Sequence, residues 1–420
     1  MREMKDSGIE WIGEIPKEWK IDKIKYHLKR NEPKNHGNAI VLSVYRDYGV
    51  IPKDSRDDNH NVTSEDTSKY KYVKKGQLVI NKMKAWQGSL AVSDYNGIVS
   101  PAYFIYDFTD EEYNHKYFHY LVRSCYKEEF KRISGGIREG QWDLSPEAFA
   151  NTLALLPPLV EQKYIANYLD IQCSEIDATA EDIQKEIALL EDYKKSVIIE
   201  AVTKGLNPDA EMKDSGIAWI GEIPKDWKVD KIKYHLKRNE PKNPGNAIVL
   251  SVYRDYGVVP KDSRDDNHNV TSEDTSKYKY VKKGQLVINK MKAWQGSLAV
   301  SDYDGIVSPA YFIYDFIDEE YNHKYFHYLV RSCYKEEFKR ISGGIREGQW
   351  DLSPEGFSNT LVLLPSIEEQ NEILDYILQK EMEIDAIIAD KKRQRGILTD
   401  YKKSLIYEYV TGKKEVPVHE

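Results

Sequence analysis

Three polar stretches carry the residues best suited to chemistry on a ligand. Asn81-Lys-Met-Lys-Ala-Trp-Gln-Gly88 offers Lys82, Lys84, Trp86 and Gln87 on a loop between two expected strands. Val44-Tyr-Arg-Asp-Tyr48, with the charged run that follows from Lys53 to Asn59, offers Arg46, Lys53 and Arg56. Gly135-Gly-Ile-Arg-Glu-Gly-Gln-Trp142 offers Arg138 and Gln141 among glycines that permit close backbone approach. Lys and Arg side chains suit phosphate oxygens or guanine, Gln suits the adenine edge, and an indole packs on sugar or base. For any one of these residues the alternative is a solvated hairpin with a structural tryptophan. The whole set recurs 208 positions later as Arg254, Lys261, Arg264, Lys290, Lys292, Trp294, Gln295, Arg346 and Gln349.

Other chemistries lack their residues. Cys125, Cys173 and Cys333 are three in number, far apart and without a CxxC, which argues against a disulfide framework or a structural zinc site. A cytoplasmic chain with reduced thiols is expected, and the opening Met-Arg-Glu-Met-Lys-Asp leads into no apolar stretch of a secretory signal. His27, His60, His115 and His119 are scattered and form no HExxH, so they read as structural or solvent-facing. Gly135 to Gly140 lacks the Lys-Ser/Thr of a phosphate-binding Walker loop, and the acidic run from Asp54 to Asp66 lacks EF-hand spacing. No catalytic residue and no metal ligand is expected.

The elements that must position these loops occur twice. Residues 4–157 and 212–365 differ at 10 of 154 aligned positions, among them Glu10/Ala218, His36/Pro244, Ile51/Val259 and Thr109/Ile317. A repeat this long is a domain, not a solenoid unit. Strands are expected at Val41–Tyr45, Gln77–Asn81, Ser89–Ser93 and Ile98–Tyr106, with a hairpin turn at Asn96-Gly97. A lead-in rich in turns runs from Trp11 to Trp19, and a short helix or strand covers Ile21–Arg30. The spacing of Tyr117, Phe118, Leu121, Val122 and Phe130 predicts one amphipathic helix over Glu111–Lys131. Ser145-Pro146 reads as a cap and first residue of a short helix, and Asn151–Leu156 as a closing strand.

The segment after each domain has drifted, with 19 identities in 44 positions between 161–204 and 369–412. Leu169, Ile176, Ile183, Leu190 and Val197 fall seven apart, with Cys173, Ala180, Ile187 and Ala201 four residues beyond a member of that series. This is a heptad seam on a helix of roughly 60 Å at 1.5 Å per residue. The second copy keeps Ile377, Ile384, Leu398 and Leu405 in register, puts Lys391 into it and adds Ile387 and Ile388. Two such helices can pack antiparallel and hold the domains apart; the alternative is that each packs only on its own domain. The expected architecture is α+β: two duplicated recognition domains at 1–160 and 207–368, and two long antiparallel coiled-coil helices at 161–206 and 369–414, related by a pseudo-twofold axis.

Charge follows the same division. The net charge is −8, yet residues 4–160 hold 23 Lys+Arg against 22 Asp+Glu, while 161–205 hold 5 against 10. The domain can carry a basic face, and the acidic connector suits protein better than phosphate. Two like readers in inverted orientation match the dyad of duplex DNA and would read inverted half-sites across an unread spacer. A DNA adenine methyltransferase would also need a glycine-rich cofactor loop and an Asn/Asp-Pro-Pro-aromatic motif, and neither is present.

Several phrases occur twice and in the same order: Trp-Ile-Gly-Glu-Ile-Pro-x-x-Trp at Trp11 and Trp219, Asn-Lys-Met-Lys-Ala-Trp-Gln-Gly at Asn81 and Asn289, and Val-Ser-Pro-Ala-Tyr at Val99 and Val307. With Leu-Pro-Pro-Leu-Val-Glu-Gln at Leu156, altered to Leu-Pro-Ser-Ile-Glu-Glu-Gln at Leu364, the chain resembles specificity subunits of type I restriction–modification systems over nearly its whole length. The resemblance implies two target recognition domains on double-stranded DNA and two spacer helices that dock two modification (methyltransferase) subunits. Restriction subunits would join through that complex. It implies no cofactor in this chain, since S-adenosylmethionine, ATP and Mg belong to the partners, and adenine-N6 methylation on both strands by the partner. Recognition domains this alike imply a near-palindromic bipartite target. The competing readings are a self-contained sequence-specific nuclease and a duplicated protein scaffold without a DNA ligand.

Overall fold

The computed structural model describes residues 2–34, 39–46, 48–55, 66–136, 142–245, 247–254, 256–263, 274–344 and 350–417. The chain forms two compact units: Met1–Gln184 with Arg393–Glu420, and Lys185–Lys392. Each unit therefore holds one copy of the repeated domain, the beginning of the helix that follows it, and the end of the other long helix.

In the first unit, strands β1 (Met4–Asp6) and β2 (Glu14–Pro16) pair as a hairpin, and β3 (Lys20–Lys23) runs into a short 3-10 turn, Ile24–Tyr26. The central sheet is four antiparallel strands in the order β4 (Leu28–Arg30), β11 (Tyr103–Phe108), β8 (Leu78–Asn81), β9 (Leu90–Val92). Beside it lie the hairpin β5 (Leu42–Tyr45)–β6 (Gly49–Pro52) and the pair β7 (Lys71–Val73)–β10 (Gly97–Val99). Successive side chains of a strand face opposite ways. Leu78 and Ile80 accordingly enter one core with Tyr117, Phe118, Tyr126 and Phe149, while Val79 enters a second with Leu42, Val44 and Ile105.

Helix α1 (His115–Cys125) starts at Asn114, whose side chain accepts from the amides of Lys116 and Tyr117. It ends at Tyr126, with φ −106° and ψ 5°, and α2 (Lys127–Ile133) begins afresh. The single helix expected over Glu111–Lys131 is thus two. The break lets the fully buried Tyr126 ring pack edge-on against Trp11, with centroids 6.0 Å apart. Residues 111–113 are outside the helix, where the Asp110 carboxylate accepts from the Glu112 amide. The hairpin turn expected at Asn96-Gly97 is also corrected. β9 pairs with β8, and β10 pairs with β7, so the strands flanking that dipeptide belong to different ladders. Gly97 is needed for close approach: a Cβ there would meet the Ile40 carbonyl at 2.6 Å. After β12 (Ser134–Gly135) and β13 (Asp143–Leu144), Ser145 caps α3 (Pro146–Asn151) by accepting from the Ala148 amide, and β14 (Leu153–Leu156) pairs with β3.

Helix α4 runs unbroken from Leu159 to Lys204. The second unit repeats the order, with α5 (His323–Cys333), α6 (Lys335–Arg340), α7 (Pro354–Asn359) and α8 (Ile367–Val410). Leu169, Ile183, Ile187, Val197, Ile377, Ile384, Ile388 and Leu405 are buried; Ile176, Leu190 and Leu398 are half-buried, and Ile387 is exposed. Within the first unit Lys402 meets Asp177 at 2.6 Å, Arg395 meets Gln184, and the Tyr409 and Tyr168 rings lie 4.7 Å apart. Numbers rise on one helix as they fall on the other, so the helices run antiparallel. In the second unit Lys194 meets Asp385 at 2.8 Å, and the Lys391 that enters the seam is met by Glu186 at 2.6 Å.

Each core is closed by the far end of the other helix. In the first unit Ile165 and Leu169 of α4 pack with Leu405, Tyr409 and Val410 of α8, and the buried Tyr117 hydroxyl donates to the Val410 carbonyl at 2.9 Å. In the second unit Ile373 and Ile377 pack with Ala201 and Val202, and the Tyr325 hydroxyl donates to the Val202 carbonyl at 3.2 Å.

Candidate nucleic-acid interface

The loop from Asn81 to Gly88 is held by its own backbone. The Ser89 amide donates to the Lys84 carbonyl at 3.1 Å, the Gln87 amide to the same carbonyl at 3.0 Å, and Gly88 closes the turn at φ 90°. That left-handed value favours glycine. Ala85 is buried beneath, which leaves Lys84 and Gln87 exposed. Both line a cavity of about 350 Å³ with Ser43, Lys53, Tyr70 and Asn81. Two of the stretches singled out by sequence, the β5–β6 hairpin and this loop, therefore share one polar recess. The Tyr103 hydroxyl at its wall sits among the side chains of Ser43 and Asn81, and burial raises its pKa.

Lys82 and Trp86 have other partners. The Lys82 ammonium meets Asp143 at 2.8 Å, and the Leu144 amide donates to the Lys82 carbonyl at 2.9 Å. The Trp86 indole donates to the Met83 carbonyl and packs edge-on against Trp142 at 5.4 Å. The second unit repeats this with Lys290–Asp351 at 2.9 Å and Trp294–Trp350 at 5.3 Å. These contacts join the loop to the third stretch, whose Arg138 and Gln141 lie outside the described residues. The same holds for Arg56, Arg264, Arg346 and Gln349. Lys292 and Gln295 are exposed like their counterparts, and Lys261 is half-buried.

Arg46 is exposed at the end of β5, and its carbonyl accepts from Arg123 of α1. Arg123 also contacts His119 Nε2 at 3.0 Å, while the Val92 amide points at His119 Nδ1 at 3.3 Å. A neutral imidazole carries one proton, so it accepts at only one of these nitrogens at a time. Burial, then Arg123, lowers the His119 pKa to about 3. In the second unit Arg254 Cγ lies 3.8 Å from a Cβ built on Gly296, which places it beside the loop of Lys290 and Lys292. Lys335 packs against Gly296, and Lys127 against Gly88. Sequence reading missed Arg123 and Lys127, because on an amphipathic stretch they look like ordinary solvated positions.

His27 is buried, with Nδ1 2.9 Å from Asp110 and 3.7 Å from Glu112, and Nε2 3.3 Å from Asp22. His235 repeats this with Asp318, Glu320 and Asp230. Among the described residues these are the two groups whose ligand atoms converge closely enough for a metal ion. They tie β3 to the loop that precedes α1. No helix of the described residues is long and apolar enough to cross a membrane.

Two near-identical α+β modules, each displaying an exposed Lys and Gln on a glycine-closed loop and each continuing into a helix of 46 or 44 residues, define a duplicated two-domain protein. No family model matches the chain. It is 24% identical over 430 positions to the type I restriction enzyme MjaVIII specificity subunit of Methanocaldococcus jannaschii, covering 96% of this chain and 94% of that one. A chain solved in a study of complex assembly and conformational transition of the type I R-M system shares the fold, with a TM-score of 0.68, 13% identity, and coverage of 95% of this chain and 99% of that one. The HsdS subunit from Thermoanaerobacter tengcongensis gives a TM-score of 0.53 at 14% identity, over 95% and 98%. Over nearly its whole length the chain is thus similar in sequence to a type I restriction enzyme specificity subunit, and it shares the fold of solved type I R-M chains.

Proposed function

We propose that this chain is the non-catalytic, DNA-reading subunit of a type I restriction–modification complex, and that its two units read the same half-site. The observation that carries this is the equivalence of the two loops: Lys84 and Gln87 recur as Lys292 and Gln295 with the same exposure, the same glycine-closed turn and the same Trp–Trp and Lys–Asp supports. Exposed Lys suits phosphate, and exposed Gln suits the two-point edge of adenine in the major groove. The near-identity of the two modules makes the target bipartite and near-palindromic, with like half-sites inverted across the dyad of the duplex. The helices set the length of the unread spacer. Two modification subunits dock on the chain, supply S-adenosylmethionine chemistry and methylate adenine on both strands; ATP and Mg belong to the restriction step of the complex.

Site selection from random duplexes with the reconstituted chain and its modification subunits is the test. One half-site followed by its inverted repeat at fixed spacing is expected. Two unrelated half-sites would overturn the shared-target reading, and no retained duplex would favour a protein scaffold.

A further inference from the structure

The two units, alike almost everywhere, differ at the foot of the long helices. In the first unit Arg2 approaches Glu161, in the first turn of α4, with both terminal nitrogens; one of these bonds is 2.9 Å. Its Nε donates to Glu18 at 2.6 Å, and its guanidinium lies 5.8 Å from the centroid of Trp19. The Trp19 indole completes the set by donating to Glu161 at 2.9 Å. This is a carboxylate fork, a second carboxylate and an aromatic neighbour arranged around one planar cation.

The second unit keeps every part except the cation. Glu369 stands for Glu161, Asp226 for Glu18 and Trp227 for Trp19, and the Trp227 indole donates to Glu369 at 2.8 Å. The backbone leading in is the same: the Lys17 amide bonds Glu3 at 2.9 Å, and the Lys225 amide bonds Glu211 at 2.7 Å. Position 2, however, becomes Ala210. Among the described residues no Lys or Arg pairs with Glu369, and its Oε1 has no hydrogen-bond donor. Burial, with Glu372 and Asp226 nearby, raises the Glu369 pKa. A half-buried carboxylate beside two others favours a cation.

We infer that Glu369, Asp226 and Trp227 form a vacant guanidinium site, preformed in the second unit and filled by the chain's own Arg2 in the first. Its ligand is a guanidinium group, carried by an arginine of a partner chain or by a small molecule. The two otherwise equivalent units differ in that only the second can take up a guanidinium group from outside the chain. The inference does not depend on the DNA reading, since it rests on the contrast between the two copies.

The test follows tryptophan indole N–H resonances of the full chain during titration with ethylguanidinium chloride, with ethylammonium chloride at equal ionic strength as control. The Trp227 resonance is expected to shift saturably with ethylguanidinium alone, and the Trp19 resonance to stay put. Ala210→Arg should abolish the Trp227 response. Arg2→Ala should transfer an equivalent response to Trp19, a gain of binding that a merely unfolded variant cannot show. No saturable Trp227 shift, an equal shift with ethylammonium, or a response surviving in Ala210→Arg would overturn the inference. The source is separated by adding a purified modification subunit. A Trp227 shift produced by that subunit alone, absent in Ala210→Arg and accompanied by loss of the ethylguanidinium response in the parent chain, identifies a partner arginine; no such shift with unimpeded titration identifies a small guanidinium compound.

Discussion

Removing residues 405–420 should unfold one unit and spare the other. The deletion takes Leu405, Tyr409 and Val410 out of the first core, where they are 3%, 5% and 0% exposed. At about 1.5–3 kcal/mol per buried apolar side chain, the loss is about 5–9 kcal/mol. Compactness of the unfolded chain reduces that to about 4–7 kcal/mol. The Tyr117 hydroxyl also loses its acceptor, the Val410 carbonyl, and a buried donor left unpaired costs about 1–3 kcal/mol more. A typical domain is stable by only about 5–15 kcal/mol, so the first unit should be brought close to unfolding. The cut leaves the Lys402–Asp177 pair intact and touches nothing in the second core. Hydrogen exchange read by mass spectrometry, peptide by peptide, gives the answer. Protection across α1 should fall by about three orders of magnitude or more, at about 1.4 kcal/mol per decade, while α5 keeps its protection. Unchanged protection in α1, or an equal loss in α1 and α5, would refute the reasoning that α8 completes the first core.

Two further outcomes are expected. Lys84→Ala with Lys292→Ala should weaken DNA binding for all sequences and flatten the slope of log K against log salt by about 1.8, at about 0.9 per phosphate contact. Lys82→Ala with Lys290→Ala should flatten it clearly less, since those ammonium groups are met by Asp143 and Asp351; equal slopes from fluorescence-anisotropy titrations would remove the distinction. His119 and His327 both have folded pKa values lowered from 6.5 to about 3, so below about 6.5 the unfolded chain binds protons that the folded chain refuses. Their contribution to stability is therefore present near neutral pH and is lost as pH falls toward 3. In urea titrations His119→Gln with His327→Gln should show a smaller drop in stability between about pH 7 and about pH 4 than the parent chain. An equal drop would place the acid sensitivity elsewhere.

Much of the local structure was legible in the residues. The offset of 208 fixes two modules, the seven-residue spacing from Leu169 to Val197 marks a buried helical seam, and Ser145-Pro146 announces a cap. Such signals work because periodicity and capping depend on neighbours a few residues apart. What escaped depends on partners far along the chain. Tyr126 breaks the expected helix because its ring packs with Trp11, and β10 leaves β9 for β7 because a ladder is chosen by the surrounding sheet. Lys82 reads as a phosphate ligand until Asp143, 61 residues away, takes its charge. The sequence by itself determined that this protein is a duplicated pair of like domains, each followed by a long helix with a heptad seam. Only the tertiary structure decided that each core is finished by the other module's helix, that Lys84 and Gln87 are the cavity-lining pair while Lys82 and Trp86 hold the loop, and that one of two matching carboxylates lacks its arginine, since burial and charge pairing are set by residues that meet only once the chain is folded.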